Sequence, residues 1–455
     1  MEKSRTKLLR DFGPETPAEK TEYWRGMKKK EELEKILKKY PEVPRTIVLK
    51  ADLQRAGVNF TDRASEEIRD SNRYEHTGRI LFLYHMVQDS KDTFEIPIDF
   101  VFNDGTCWQI RLNDPKNDIY GVDFIDGKFW LSLDGELLEE LNTEPKPSYY
   151  DKKTSSGIDM RFIGVVKPSD SVIFVPYRHC HYWNTGDQCR FCDMDYYVRF
   201  QLKALGKQFT TRNSPQDLYE TMCEILKEKG RWRHFCITGG SDPRRMYQSE
   251  FNFYFDCCKA FQKAFKEMLG IERMPLYLVL SPFQKDDMIK FRDEGGVTRY
   301  GPNLEVWDPE KFRIQCPGKS KNMGRDEWIK RTIDAVEVFG EGNVETSLVT
   351  GTMMAPEPYG YAEIDDAVAA DLEGIKFCVD NGIKPIEYMW ISVPGSYFYK
   401  IGAIVPPLEY YIRLNIARQN VLKDYEKKRG HAYPYGATDF RCCPHGICYD
   451  MDRVL

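Results

Sequence analysis

The stretch Val172-Ile173-Phe174-Val175-Pro176-Tyr177-Arg178-His179-Cys180-His181-Tyr182-Trp183-Asn184-Thr185-Gly186-Asp187-Gln188-Cys189-Arg190-Phe191-Cys192 decides how the chain is read. Its first four residues form a short continuous apolar run, the pattern of a buried strand. The loop that follows holds three cysteines within thirteen residues, the last two as a Cys-x-x-Cys pair, among Gly, Asn and Asp. Parallel β/α architectures carry their chemistry in such loops, at the C-terminal edge of the sheet. Thiolates suit a soft metal, and on these residues alone two centres meet the description. One is a [4Fe–4S] cluster on three cysteines with one iron left open. The other is a zinc site in which Cys180, His179 or His181 completes the Cys189–Cys192 pair.

Working outward, the texture from about residue 165 alternates strand and helix. Ser214-Pro215 reads as an N-cap followed by proline at the first helical position. Leu218, Met222, Ile225 and Leu226 form the buried stripe of that helix, and Gly230 lies beyond it. A second strand, His234–Thr238, runs into Gly239-Gly240-Ser241-Asp242-Pro243, and a helix carrying Phe251, Phe255, Cys258, Phe261 and Phe265 follows. The third strand is Leu276–Ser281, and the fourth leads into Asn303-Leu304-Glu305-Val306. The helix around Trp328 stops at Gly340; strand five is Thr346–Gly351 and strand six Pro385–Ile391, with Pro406-Pro407 opening a last helix. Six β/α units in about 260 residues predict a partial (β/α)6 TIM-type barrel, open at one side.

Upstream, Phe94, Ile96, Ile98, Phe100 and Phe102 alternate, Asn103-Asp104-Gly105 turns, and Trp108, Ile110 and Leu112 alternate back, a hairpin pattern. Asp126-Gly127 predicts another hairpin. The chain thus divides into an N-terminal β-rich α+β domain (1–160), the β/α unit (161–425) and a Cys-rich C-terminal segment (426–455), a partition that suits 455 residues. Lys28-Lys29-Lys30 heads a solvated helix in place of a phosphate site.

The formal net charge of −5 carries no signature of nucleic-acid binding. No apolar run approaches the roughly 20 residues of a membrane span, and the charged start Met1-Glu2-Lys3-Ser4-Arg5 is not an export signal. Thirteen cysteines scattered through helical and strand patterns predict reduced thiols and a cytoplasmic location, not a disulfide framework. Gly318-Lys319-Ser320 mimics the end of a phosphate loop, but Arg313 stands where the first glycine is required.

In this order, the cysteine loop after strand one, the Gly-Gly turn after strand two, Glu305 on strand four and Gly351 after strand five resemble the radical S-adenosylmethionine (radical SAM) superfamily over residues 165 to 425. Phe191 before Cys192 matches the hydrophobic residue those enzymes place before the third cysteine. Leu304-Glu305-Val306, Cys316-Pro317-Gly318-Lys319, Phe339-Gly340, Thr346–Gly351 and Val393-Pro394-Gly395-Ser396 before Pro406-Pro407 are similar to its biotin-synthase-like branch. Two departures stand out: eight residues, not three, separate Cys180 from Cys189, and Ser241 replaces the acidic third residue of the Gly-Gly turn.

The resemblance implies that Cys180, Cys189 and Cys192 hold the [4Fe–4S] cluster, and that S-adenosylmethionine chelates its fourth iron. It further implies that Gly239, Gly240, Ser241 and Asp242 receive the methionine portion and Glu305 the ribose. Thr350 and Gly351 would flank the adenine, with Val393 closing over it. One-electron cleavage to a 5′-deoxyadenosyl radical, hydrogen abstraction from a small or medium organic substrate, and a reduced flavodoxin or ferredoxin as electron donor follow from the same likeness. The reaction could be sulfur insertion, rearrangement, cleavage or methylation; the alternative is a non-catalytic zinc or iron–sulfur scaffold. Cys442, Cys443 and Cys448, beside His445, are either ligands of a second iron–sulfur cluster or zinc, with His445 or Cys316 as fourth ligand, or buried free thiols. Asp193 and Asp195 are read as capping residues.

Overall fold

The computed structural model describes residues 29–71, 97, 99–111, 120–143, 145–167, 171–205, 210–391, 395–434 and 446–454. Helices Lys29–Lys39 and Arg45–Ala56 precede a six-stranded sheet made of β1 (Asn59–Phe60), β2 (Asp99–Phe102), β3 (Cys107–Gln109), β4 (Tyr120–Ile125), β5 (Lys128–Leu133) and β6 (Glu136–Asn142), in the order β1-β4-β5-β6-β2-β3. Phe94, Ile96, Ile98 and Leu112 of the expected first hairpin lie outside the described residues; within them Phe100 pairs with Trp108 and Val101 with Cys107. The second hairpin closes through Asp126 (φ 52°) and Gly127 (φ 78°). Both are left-handed, as the twist-matched two-residue turn requires. A third strand, β6, was not marked by alternation, because most of its length is solvated on both faces and no period is imposed on it.

The second sheet holds β7 (Gly164–Lys167), β8 (Ser171–Tyr177), β9 (His234–Gly239), β10 (Leu276–Val279), β11 (Arg299–Tyr300), β12 (Val344–Leu348) and β13 (Ile383–Glu387). Strands β8 to β13 are parallel and adjacent in chain order, and β7 pairs antiparallel to β8 at one edge. Helices separate most successive parallel strands, giving a mixed α/β protein. The helix Pro215–Ile225 starts as its sequence dictates: Ser214 and Asp217 form a reciprocal capping box, and Leu218, Met222 and Ile225 are buried.

Strand four differs from the sequence expectation. Its ladder is only Arg299–Tyr300, and Glu305 follows as an isolated bridge to Leu348 at φ 76°. Side chains interrupt the ladder: Leu304 N–H donates to Thr346 Oγ1 at 2.8 Å, and Ser347 N–H to Asn303 Oδ1 at 3.0 Å.

One apolar cluster joins β8–β10 to helices Pro215–Ile225, Gln248–Leu269 and Lys285–Asp293, through Phe174, Ile237, Phe261, Leu278 and Phe291. A second runs without a break from Ile47, Leu53, Phe100 and Leu131 to Leu304, Trp328, Leu348, Tyr411 and Met451, so the N-terminal sheet shares its core with the far side of the β/α unit. Among the described residues no helix is long and apolar enough to cross a membrane. Because β8 to β13 are parallel, the segments leaving their C-terminal ends gather at one edge. The cysteine loop, the Gly-Gly turn, Glu305 and Thr350-Gly351 are all such segments.

Candidate metal and cofactor site

The cysteine loop is held on two sides. Cys180 caps a short 3₁₀ helix, His181–Thr185, and Cys192 N–H closes on Cys189 O at 3.0 Å. On one side His181 N–H donates to Ser241 O at 2.9 Å, and the hydroxyls of Tyr182 and Tyr247 meet at 2.8 Å. On the other, Arg190 N–H donates to Gln315 O at 2.8 Å and Gly318 N–H to Asp187 O at 2.9 Å. Both walls need a glycine. A Cβ on Gly240 would stand 2.0 Å from His179 O and 2.7 Å from Cys180 N; one on Gly318 would meet the Tyr182 ring at 2.4 Å. Such distances admit only hydrogen, so the Gly-Gly turn is built against the loop that carries the first cysteine.

Cys180, Cys189 and Cys192 are free and half-buried. Burial pushes the Cys180 thiol up to about 12, and the Cys189 charge adds to the rise. Burial also raises Cys192, followed by the charges of Asp193, Cys189 and Cys180. The three sulfurs therefore act on one another. Among the described residues no three His, Cys, Asp or Glu side chains are grouped to hold a metal ion.

Cys189 behaves differently. A hydrogen bond from the Cys316 thiol holds it below the usual thiol range, burial opposing and the Lys319 charge assisting. Burial and that same bond hold Cys316 well up. Lys319 Nζ donates to Asn303 O at 2.6 Å and Glu305 Oε1 at 2.9 Å, and lies 4.5 Å from the centre of the Trp328 ring. Burial works against its ammonium, and the charges of Glu305, Cys189 and Cys316 outweigh burial. The expected ribose ligand Glu305 is thus already paired through one oxygen, on a strained backbone whose cost is about 1–3 kcal/mol.

The remaining expected residues are distributed as follows. Asp242 accepts Arg244 Nε at 2.8 Å and Nη2 at 2.6 Å, and His181 Nε2 lies 3.4 Å from its Oδ2. Ser241 Oγ meets Ser281 Oγ at 3.2 Å. Thr350 Oγ1 donates to Glu387 Oε1 at 3.2 Å, and Gly351 N–H to the Tyr410 hydroxyl at 3.1 Å. Val393, Cys442, Cys443 and His445 lie outside the described residues. Cys448 is buried at the start of the helix Cys448–Val454, in a cluster with Tyr449 and Ile386. Asp195 opens the helix Met194–Leu205 and pairs with Arg199 at 2.6 Å.

Sequence reasoning missed Glu250. Its buried carboxylate accepts Asp242 N–H at 2.7 Å and Ser281 N–H at 3.0 Å, tying the turn after β9 to the end of β10, and burial pushes it up to about 7. A glutamate among Phe251, Tyr254 and Phe255 on one helix face was the available signal. Lys319 is part of the Cys316-Pro317-Gly318-Lys319 pattern, which assigns it no contact with Glu305.

No protein-family model matches the chain. Over 268 residues it is 26% identical to the bacteriochlorophyllide c C-7(1)-hydroxylase of Chlorobaculum limnaeum, covering 56% of this chain and 60% of that enzyme. The chain therefore spans about three-fifths of the length of the curated relative it matches.

Proposed function

We propose that the protein is a radical SAM enzyme acting at a C–H bond of a small or medium organic molecule. The observation that carries this reading is the clamp at the C-terminal edge of the parallel strands: the three-cysteine loop lies between Gly240 and Gly318, with Glu305 and Lys319 beside Cys189. Likeness to a hydroxylase supports an enzyme. The donor set suits the proposed group. Three free, half-buried thiols on one loop are the soft donor type that a [4Fe–4S] cluster takes. On this reading the six consecutive strands belong to a partial (β/α)6 barrel, residues 1–160 to an N-terminal α+β domain whose core is continuous with it, and a reduced flavodoxin or ferredoxin supplies the electron.

Cys180, Cys189 and Cys192 would hold the cluster. When bound with S-adenosylmethionine, it supplies an electron that breaks a sulfonium carbon–sulfur bond and so generates a hydrogen-abstracting radical. The chain's own work is placement and exclusion. Glu250 fixes the backbone of the Gly-Gly turn through Asp242 N–H. Lys319 holds Glu305 through Oε1, and Oε2 would accept from a ligand hydroxyl. Tyr182, buried against Tyr247, keeps water from the floor of the loop.

The test is anaerobic reconstitution with iron and sulfide, followed by S-adenosylmethionine and a reductant. Four irons per chain and reductant-dependent release of 5′-deoxyadenosine are expected. One tightly held zinc without cleavage would instead establish the scaffold alternative.

A further inference from the structure

The N-terminal helices close on the start of the long helix Leu408–Arg429. Arg55, buried on the helix Arg45–Ala56, donates through Nε to Asp52 Oδ1 at 3.0 Å. Its Nη2 donates to Asp52 Oδ1 at 2.5 Å and to Glu32 Oε2 at 2.6 Å. The Tyr120 hydroxyl of β4 holds the other Asp52 oxygen at 2.6 Å. Arg55 and Glu32, aligned in this way, reach across to the β/α unit. Arg55 Nη1 donates to Pro406 O at 3.4 Å, and Glu32 Oε1 accepts Leu408 N–H at 3.0 Å. The Glu32 carboxylate thus satisfies one of the N–H groups that a helix start leaves open, at the end where negative charge is favoured.

The first turn of that helix is in turn the wall behind Gly351. Gly351, at φ 99°, donates its N–H to the Tyr410 hydroxyl at 3.1 Å. A Cβ there would stand 2.6 Å from the Tyr411 hydroxyl and 3.0 Å from Pro406 Cγ. The Tyr411 hydroxyl also donates to Trp390 O at 3.4 Å, and Trp390 N–H donates to Thr350 O at 2.8 Å. Resting on the reading above, which sets Thr350 and Gly351 beside the adenine, we propose that Glu32 and Arg55 are positioning residues for the adenosine half of S-adenosylmethionine. They act through Pro406 and Leu408, and this gives the N-terminal region a part in the reaction. The Gly-Gly turn, which would receive the methionine half, is held by Glu250 and the cysteine loop instead. The two halves of the ligand therefore answer to different supports.

The test compares full-length wild type, Glu32→Ala and Glu32→Gln after anaerobic reconstitution, with iron counted and thermal melting recorded. Arg55 keeps its Asp52 partner in both variants, so the fold is retained. Equilibrium dialysis then measures binding of S-adenosylmethionine, of 5′-deoxyadenosine as the adenosine half, and of methionine as the chelating half. Glu32→Ala is expected to keep its iron, to weaken S-adenosylmethionine and 5′-deoxyadenosine about fivefold, and to leave methionine unchanged. Glu32→Gln keeps an acceptor for Leu408 N–H and is expected to recover most of that loss. Unchanged 5′-deoxyadenosine binding in Glu32→Ala overturns the proposal. So does equal weakening of both halves, the mark of a fold loosened in general. A wild-type chain that takes up zinc, or a cluster that binds no S-adenosylmethionine, overturns the functional reading, and this inference with it.

Discussion

Two buried polar groups sit on the same sheet and differ in kind. Beneath the C-terminal helix Cys448–Val454, near the starts of β11, β12 and β13, Arg299 pairs with Glu345, and Tyr449 donates to Glu345 Oε2 at 3.0 Å. Lys384 lies 4.1 Å from the Tyr449 ring centre, and Lys50 reaches Asp450 at 2.5 Å. Around Cys189, at the other ends of the strands, Lys319 is held by Glu305, and that glutamate stands in a left-handed backbone conformation. The first group ties residues far apart in sequence into one lock. The second collects cysteine sulfur and a left-handed glutamate at a loop edge. Burial of charge alone does not mark function; charge together with soft donors and a strained backbone does.

The largest effect that could break this contrast is loss of a loop thiol. Cys180→Ala should reduce iron content to background and abolish 5′-deoxyadenosine release, while its circular dichroism and melting stay close to wild type; retained iron would remove the loop from the metal site. The lock should behave oppositely. Arg299→Met leaves Glu345 buried without its guanidinium and should cost about 3–5 kcal/mol in denaturant unfolding. Arg299→Met with Glu345→Leu should recover most of that loss, as measured by the double-mutant cycle.

Glu250 sharpens the comparison through pH. Burial raises its carboxyl to about 7, from an ordinary value near 4.5. The folded form therefore holds a proton that the unfolded chain releases. Its contribution is fully present below about pH 4.5 and is lost as pH rises through about 7, a drop of about 3 kcal/mol. Asp371 is likewise raised to about 7 and adds to the same decline. Glu250→Gln should flatten part of the fall in stability between those pH values, and an unchanged slope would put its proton elsewhere. The smallest effect concerns Lys319. Lys319→Met should weaken S-adenosylmethionine binding about tenfold, or ~1.4 kcal/mol, with iron content unchanged, as read by equilibrium dialysis.

Much of the architecture was legible because it is written in local terms. Ser214-Pro215 and Asp126-Gly127 state a helix start and a turn through their own chemistry. The apolar runs at Val172 and Leu276 are strands because their length and β-branched or aliphatic content leave few other buried states. Strand four was misjudged past Tyr300, since the groups that interrupt its ladder, Thr346 and Asn303, come from forty residues apart.

The cysteine trio and the paired glycines were visible by themselves, since thiols at short spacing and adjacent glycines are compositional facts. Tertiary structure alone decided that Cys316 and Lys319 stand against Cys189, that Glu250 holds the turn after β9, and that the C-terminal helix locks the strand starts. The physical reason is distance along the chain. Spacing within a loop is set by covalent geometry and can be read off residue by residue. Which carboxylate loses its water is set by the packing of separate elements against one another, as Glu250 is buried between the turn after β9 and the end of β10.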